Sequence, residues 1–222
     1  MCSASQSRVL QASTASVEDR GAFQGTFGRL GPNSIVQSVR ALRELHGAQV
    51  AERVALDADV AALDLRGLVP DSAFEHLVDV MRAHLGEEKS ARVLSRSGEL
   101  TGRYVLEHRV PKAVHRLMSA LPGPVGVPLL LCGVREHAWT FVGRGEFMVG
   151  RGQLSLKDAP TCRGRSTVRG GHYYTAAFET VLRSADPTIE IREVACTRRG
   201  ASCCRYILTH ANRGARRSRK NP

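Results

Sequence analysis

The sequence predicts an α+β domain in which an antiparallel sheet packs against helices, and three observations carry that prediction. Apolar residues recur at helical spacing through most of the first 120 positions. From His137 to Asp158 the stretch "HAWTFVGRGEFMVGRGQLSLKD" mixes aromatic and β-branched residues with glycine, as consecutive strands joined by tight turns do. Near the end, "TIEIREV" and "CRYILTH" alternate apolar and polar residues on either side of "TRRGAS".

The helices come first. Asn33 reads as an N-cap ahead of Ile35, Val36, Val39 and Leu42, and Gly47 closes that segment. After Asp71, the residues Phe74, Leu77, Val78, Met81 and Leu85 mark one face of a second helix, which Gly86 stops. Glu88 to His108 reads as a third, weakened by Gly98 and Gly102. Pro111 begins a shorter one carrying Val114, Leu117, Met118 and Leu121. "VGVPLLLCGV" is too short for a membrane span and contains a proline, so it reads as buried core. Beyond the strands that start at His137, "HYYTAAFETVLR" returns to helical spacing through Tyr174, Ala177, Phe178, Val181 and Leu182. The last two strands then form a hairpin around "TRRGAS". No internal repeat is visible.

A chain of 222 residues that is 42% hydrophobic can bury one sizeable core. The expected organisation is a disordered tail over residues 1–22, one domain over 23–210 and a basic disordered tail over 211–222. The formal charge is +11, but Arg213, Arg216, Arg217, Arg219 and Lys220 supply five of it, leaving +6 elsewhere. No nucleic-acid-reading motif accompanies this charge, so specific nucleic-acid binding is not expected; weak contact of the tail with an acidic membrane surface is. With no export signal and no long apolar run, the expected compartment is the cytoplasm. There, clustered thiols bind metal more often than they form disulfides.

Clustered thiols are present. In "TIEIREV" the alternation sets Glu193 on the same face as Ile189 and Ile191, a carboxylate continuing an apolar row. In the partner strand Cys204, Tyr206 and Leu208 share a face, so Glu193 and Cys204 meet near the hairpin mouth with Cys196 at the turn. A buried carboxylate needs a compensating charge, and Zn²⁺ supplies one together with an affinity for thiolate, carboxylate and imidazole. The fourth ligand comes from His172, at the start of the following-helix pattern "GGHYY", with Cys162 in the loop "DAPTCRGR" as the rival. A redox pair is disfavoured, because adjacent Cys203 and Cys204 leave a strand on opposite faces and no C-x-x-C occurs.

These residues resemble the 4-vinyl reductase domain family: a strand ending in E-x-x-C, a short turn with glycine, and a second cysteine opening the last strand. "EHAWTFVGRGEF", "HYYTAAFETVLR" and "GASCCRYIL" are similar, in that order, to its J-protein branch in bacteriochlorophyll synthesis, described as divinyl-tetrapyrrole 4-vinyl (8-vinyl) reductases. The resemblance covers roughly Phe23 to Leu208. It implies a fold similar to 4-vinyl reductase domains and TRAPP tethering subunits, often as a homodimer. Sensor proteins with this domain hold zinc through Cys, Glu, Cys and Cys. Glu193, Cys196 and Cys204 match the last three, while the first falls at or near His172, where this chain departs from the pattern.

The family name implies a reductase, yet no hydride-donor site is recognisable. The Gly143–Gly145 and Gly150–Gly152 pairs lie among strands and read as hairpin turns, without the strand–turn–helix setting of a dinucleotide fingerprint. Binding a flat Mg-tetrapyrrole asks only for an apolar cleft, a cation for its carboxylate and an axial ligand. Trp139, Phe141 and Phe147 are the candidate wall, Arg144 or Arg135 the carboxylate partner and His137 the axial ligand. The expected function is therefore a tetrapyrrole-binding carrier of bacteriochlorophyll biosynthesis handling divinyl Mg-porphyrin or protochlorophyllide intermediates. Its expected partners are a chelatase or reductase, and its expected place is the cytoplasm or the periphery of the photosynthetic membrane. The alternatives are the reductase itself and a small-molecule sensor or tethering module.

Overall fold

Strand β1 (Arg29–Leu30) leads into helix α1 (Asn33–His46), and Pro32 rather than Asn33 occupies the cap position. The Pro32 carbonyl accepts the first amides, from Ile35 and Val36. The computed structural model that shows this describes residues 28–110, 121, 123–163 and 170–211. The helix expected from Pro111 (apart from Leu121) and the expected tails (apart from Ala211) lie outside those residues.

At Gly47, with φ 86°, the chain turns into α2 (Ala48–Asp57). No expectation covered α2, because its buried face is made of Ala51, Val54 and Ala55, residues too small to give a strong apolar pattern. β2 (Val69–Pro70) pairs antiparallel with β1 and opens α3 (Asp71–His108). This one span holds both helices read from the sequence, bent where Gly86 adopts φ 77° and ψ 168°. Ser90 Oγ donates to the Gly86 carbonyl at 2.6 Å and so caps the bend.

The apolar segment after the gap is itself a helix, α4 (Gly123–Glu136), with Pro128 on its exposed side. The strand expected from His137 is corrected: Trp139–Val142 form a single helical turn, α5, and only β3 (Glu146–Gly150) and β4 (Gln153–Lys157) are strands. Composition reports that a stretch packs well; it takes a period to say how, and four residues give none. Here the turn is fixed by tertiary bonds, Gly31 N–H to the Thr140 carbonyl at 2.8 Å and Tyr174 Oη to the Phe141 carbonyl at 3.0 Å. Gly143–Gly145 consequently joins a helical turn to a strand, while Gly150–Gly152 is a hairpin turn as expected.

A 3₁₀ turn (Pro160–Cys162), α6 (His172–Leu182), β5 (Ile189–Ala195), a second 3₁₀ turn (Thr197–Arg199) and β6 (Cys204–His210) complete the chain. The four strands lie in the order β3-β4-β6-β5, every neighbouring pair antiparallel. Leu154, Leu156, Tyr206, Ile189 and Ile191 bury one face of this sheet, and α6 lies between it and α3. The α+β class is as the sequence predicts.

Gly98 and Gly102 are where α6 comes closest to α3. A Cβ on Gly98 would collide with the Tyr173 carbonyl, and one on Gly102 would stand 2.7 Å from Thr180 Cβ. What reads as a weakness in an isolated helix is the surface that lets two helices touch.

Candidate metal centre and the adjoining cleft

Glu193 and Cys196 are three residues apart, so an unbroken strand would point them to opposite faces. The pairing of β5 with β6 is irregular here: Glu193 faces Tyr206 and Ala195 faces Arg205, leaving Val194 as an extra residue. This bulge turns Val194 outward and lets both Glu193 and Cys196 point inward, each under a tenth exposed. Cys204, the first residue of β6, is fully buried beside them. The ligand atoms of Glu193, Cys196 and Cys204 all lie within 4.8 Å of one another.

Backbone amides reach both sulfurs. Gly170 N–H donates to Cys196 Sγ at 3.2 Å, and Thr197 N–H donates to Cys204 Sγ at 3.4 Å. Gly171 leaves room for the carboxylate: a Cβ there would strike Glu193 Oε1 and stand 2.6 Å from Tyr206 Oη. With protons on sulfur, the contact with Cys204, and burial after it, hold the Cys196 thiol far above its ordinary range against the pull of the Gly170 and Arg198 amides. Cys204 is pushed up to about 12, first by its contact with Cys162 and then by burial. Both are thiols until a cation replaces the proton.

The sulfur spacing is compatible with a shared tetrahedral cation. Two thiolates on a tetrahedral zinc, each about 2.3 Å from the metal, stand about 3.8 Å apart. Cys196 Sγ and Cys204 Sγ are 3.9 Å apart. Glu193, Cys196 and Cys204 thus form a donor set that could hold a metal ion, with a sulfur spacing compatible with zinc.

The remaining candidates are placed around this trio. Neither His172 nor Cys162 brings an atom within 4.8 Å of all three. Cys162 is buried, its Sγ 3.9 Å from Tyr206 Oη, whereas half-buried His172 opens α6. Cys203, in the bend just before β6, is half-buried. Of the residues nominated for pigment, Phe141 and Phe147 meet edge to face at 5.6 Å, and both also pack on Phe178. Trp139 is half-buried on α5, while His137 and Arg135 are exposed. Arg144 faces the carboxylates of Asp71 and Glu75, at 3.8 and 3.6 Å.

Sequence reasoning missed a cleft of about 630 Å³ between α3, α6 and β5. Arg103, His172, Thr175, Ala176, Arg192 and Glu193 are among its lining residues, so it abuts the metal trio through Glu193. Within it, Glu179 is committed to Arg183 at 2.6 Å and to the Ile191 amide at 3.0 Å. The small residues on α6 that open the cleft carry no signal of their own, since alanine and threonine occur anywhere on a helix.

Comparison with known proteins then fixes the family. The chain is 34% identical over 186 residues to the bacteriochlorophyll synthase 23 kDa chain of Cereibacter sphaeroides, an alignment covering 81% of this chain and 90% of that one. The chain belongs to the bacteriochlorophyll synthase 23 kDa family. The Rhodobacter capsulatus member is 29% identical over 185 residues, covering 81% of this chain and 86% of its own length. Membership places the protein in bacteriochlorophyll biosynthesis, as the J-protein resemblance implies. No family model matches the chain.

At the level of fold the neighbours are H-NOX proteins. An Fe(II) unliganded H-NOX variant from K. algicida superposes with a TM-score of 0.57 at 10% identity, covering 84% of this chain and 99% of that one. A structure probing heme distortion in the H-NOX family gives 0.50 at 10% identity, covering 82% and 96%. Among the described residues no helix is long and apolar enough to cross a membrane.

Proposed function

We propose that this member of the 23 kDa family is a zinc-stabilised, tetrapyrrole-binding carrier that hands a divinyl Mg-porphyrin or protochlorophyllide intermediate to a pigment-synthesis enzyme such as a chelatase or reductase. The observation that carries the reading is an open cleft of about 630 Å³ whose lining includes His172, Arg103 and Arg192 along with Glu99, Glu179 and Glu193, in a protein of bacteriochlorophyll biosynthesis. Arg103 and Arg192, both exposed at its rim, suit the carboxylates of a tetrapyrrole, and His172 suits axial contact with its magnesium. The fold-level likeness to a protein family studied for heme distortion is compatible with a tetrapyrrole ligand and says nothing of its position.

This seat differs from the one nominated in the sequence. The rings of Phe141 and Phe147 are taken up by Phe178 and Tyr174, and Arg144 by two carboxylates, which leaves less surface for a flat ligand there. Zinc in a site filled by protein donors stabilises the hairpin and passes no electrons, since it has no accessible redox change.

The test is an absorbance titration of the purified full chain with a Mg-divinyl porphyrin, alone and then with nicotinamide cofactor. A saturable bound-pigment spectrum that cofactor leaves unchanged supports carriage, and loss of the vinyl group with only this polypeptide present establishes the reductase instead. His172→Ala and Arg192→Ala should each weaken binding about tenfold per folded molecule, the loss of one charge-assisted or coordinating contact. If Trp139→Ala weakens it instead, the pigment sits at α5 and the cleft assignment is overturned.

A further inference from the structure

We propose that the cleft selects a ligand with two free carboxylates on one edge, one held by Arg103 and the other by Arg192, and disfavours the esters of that ligand. The inference rests on the pigment reading above and names the class of ligand that the same cleft takes.

Three observations carry it. The first is which charges in the cleft are already spent. Glu99 is paired with Arg96 at 2.9 Å, and Glu179 with Arg183 at 2.6 Å. Arg183 also donates to the Ile189 carbonyl at 2.9 Å. Glu193, 6% exposed, belongs to the trio with Cys196 and Cys204. Arg103 and Arg192 line the cleft as exposed guanidiniums with no ion pair among the described residues. Such a group meets a carboxylate through two parallel N–H···O bonds.

The second is level. Helix α6 lies between α3 and the sheet, so Arg103 on α3 and Arg192 on β5 stand on opposite sides of it. Gly102 approaches Thr180, and the Ile191 amide donates to Glu179 at 3.0 Å. Arg103 and Arg192, the next residues along their own elements, therefore flank α6 at one level. His172 opens that helix about two turns before Glu179, roughly 11 Å away along the axis. An imidazole at one end, with a guanidinium on either side of the other, suits a flat ligand whose two acids share an edge.

The third is what the cleft excludes. Its β5 wall is an edge of the sheet, where an extended peptide ordinarily adds. That edge is occupied, because Arg183 takes the Ile189 carbonyl and Glu179 takes the Ile191 amide. Adding a strand would break both bonds, so recognition falls to the side chains at the rim. The consequence is a place in a reaction sequence: the ligand is taken up before any reaction that esterifies either of its acids.

Absorbance titrations of the purified full chain with Mg-protoporphyrin IX and with its dimethyl ester test the proposal. The diacid should bind at least about tenfold more tightly, and its advantage should shrink as salt is raised. An apolar slot without carboxylate recognition gives the opposite order, since the ester is the more apolar ligand. Arg103→Gln and Arg192→Gln should each weaken the diacid about tenfold and leave the ester unchanged, so the ester also reports that the variants are folded. Equal affinities for diacid and ester, or variants that weaken both alike, overturn the inference while the carrier reading stands. A preference lost in Arg183→Ala but kept in the other two variants overturns it as well. If neither porphyrin binds, the carrier reading itself falls.

Discussion

At Gly171 a single hydrogen decides whether the helix start can lie against the carboxylate, because a methyl there would strike Glu193 Oε1 and crowd Tyr206 Oη. Gly171→Ala should therefore cost about 1–3 kcal/mol, the usual penalty of overpacking, and lower metal content. Thermal unfolding and elemental analysis of the variant check both; a variant that keeps full metal and stability would mean that the helix start is free to shift. Asp71 carries a second residue-scale expectation. It is 2% exposed and is bonded to Arg163 at 2.8 Å and to the Arg144 amide at 3.1 Å. Asp71→Ala leaves the buried Arg163 guanidinium with Glu75 as its remaining carboxylate beside the Asp158 carbonyl, so a loss of about 3 kcal/mol is expected in a denaturant titration. The same change should loosen the turn that holds Cys162, since Arg163 is its neighbour.

Between elements, the contact of α3 with α6 sets one magnitude against another. Helix propensity alone says that Gly98→Ala stabilises by about 1 kcal/mol, because alanine loses less backbone freedom. Packing says the reverse, because the new methyl would meet the Tyr173 carbonyl and come 3.0 Å from Ala176 Cβ. Neither is the end of a flexible side chain, so the helices must separate at a cost of about 1–3 kcal/mol. The net expectation is destabilisation, and Gly86→Ala should destabilise for a different reason, its φ of 77°. Urea midpoints for the two variants test this; a midpoint raised in Gly98→Ala would show that the helices are not held at this distance in solution.

For the molecule as a whole, the proposed metal would tie together the two strands and the turn of the last hairpin through Glu193, Cys196 and Cys204. A ligand present at a thousandfold excess over its dissociation constant stabilises by about 4 kcal/mol. In a domain of this size each kcal/mol moves the melting temperature by about 2–4 °C, so chelation should lower it by about 8–16 °C. Scanning calorimetry with and without a chelator measures the difference, and an unchanged melting temperature would mean that no metal is bound in the folded state. Re-addition of zinc, but not magnesium, should restore the loss, because thiolates prefer the softer ion.

Much of this was legible in the chain. The amphipathic faces of α1, α3 and α6 follow from spacing, since a 3.6-residue period is a local property that survives whatever packs against it. The alternation of Ile189, Ile191 and Glu193 likewise announced a buried carboxylate, and with it the company of Cys196 and Cys204. Other features depend on groups far apart in sequence. The bulge at Val194 turns Cys196 inward; Gly98 and Gly102 are contact points only because α6 lies on them; and Trp139–Val142 coil because Gly31 and Tyr174 bond to their carbonyls. The cleft is the clearest case, formed by side chains from α3, α6 and β5 that share no motif. A period records which face of an element is buried, but the neighbour that buries it, and the gap left between them, exist only once the elements have packed.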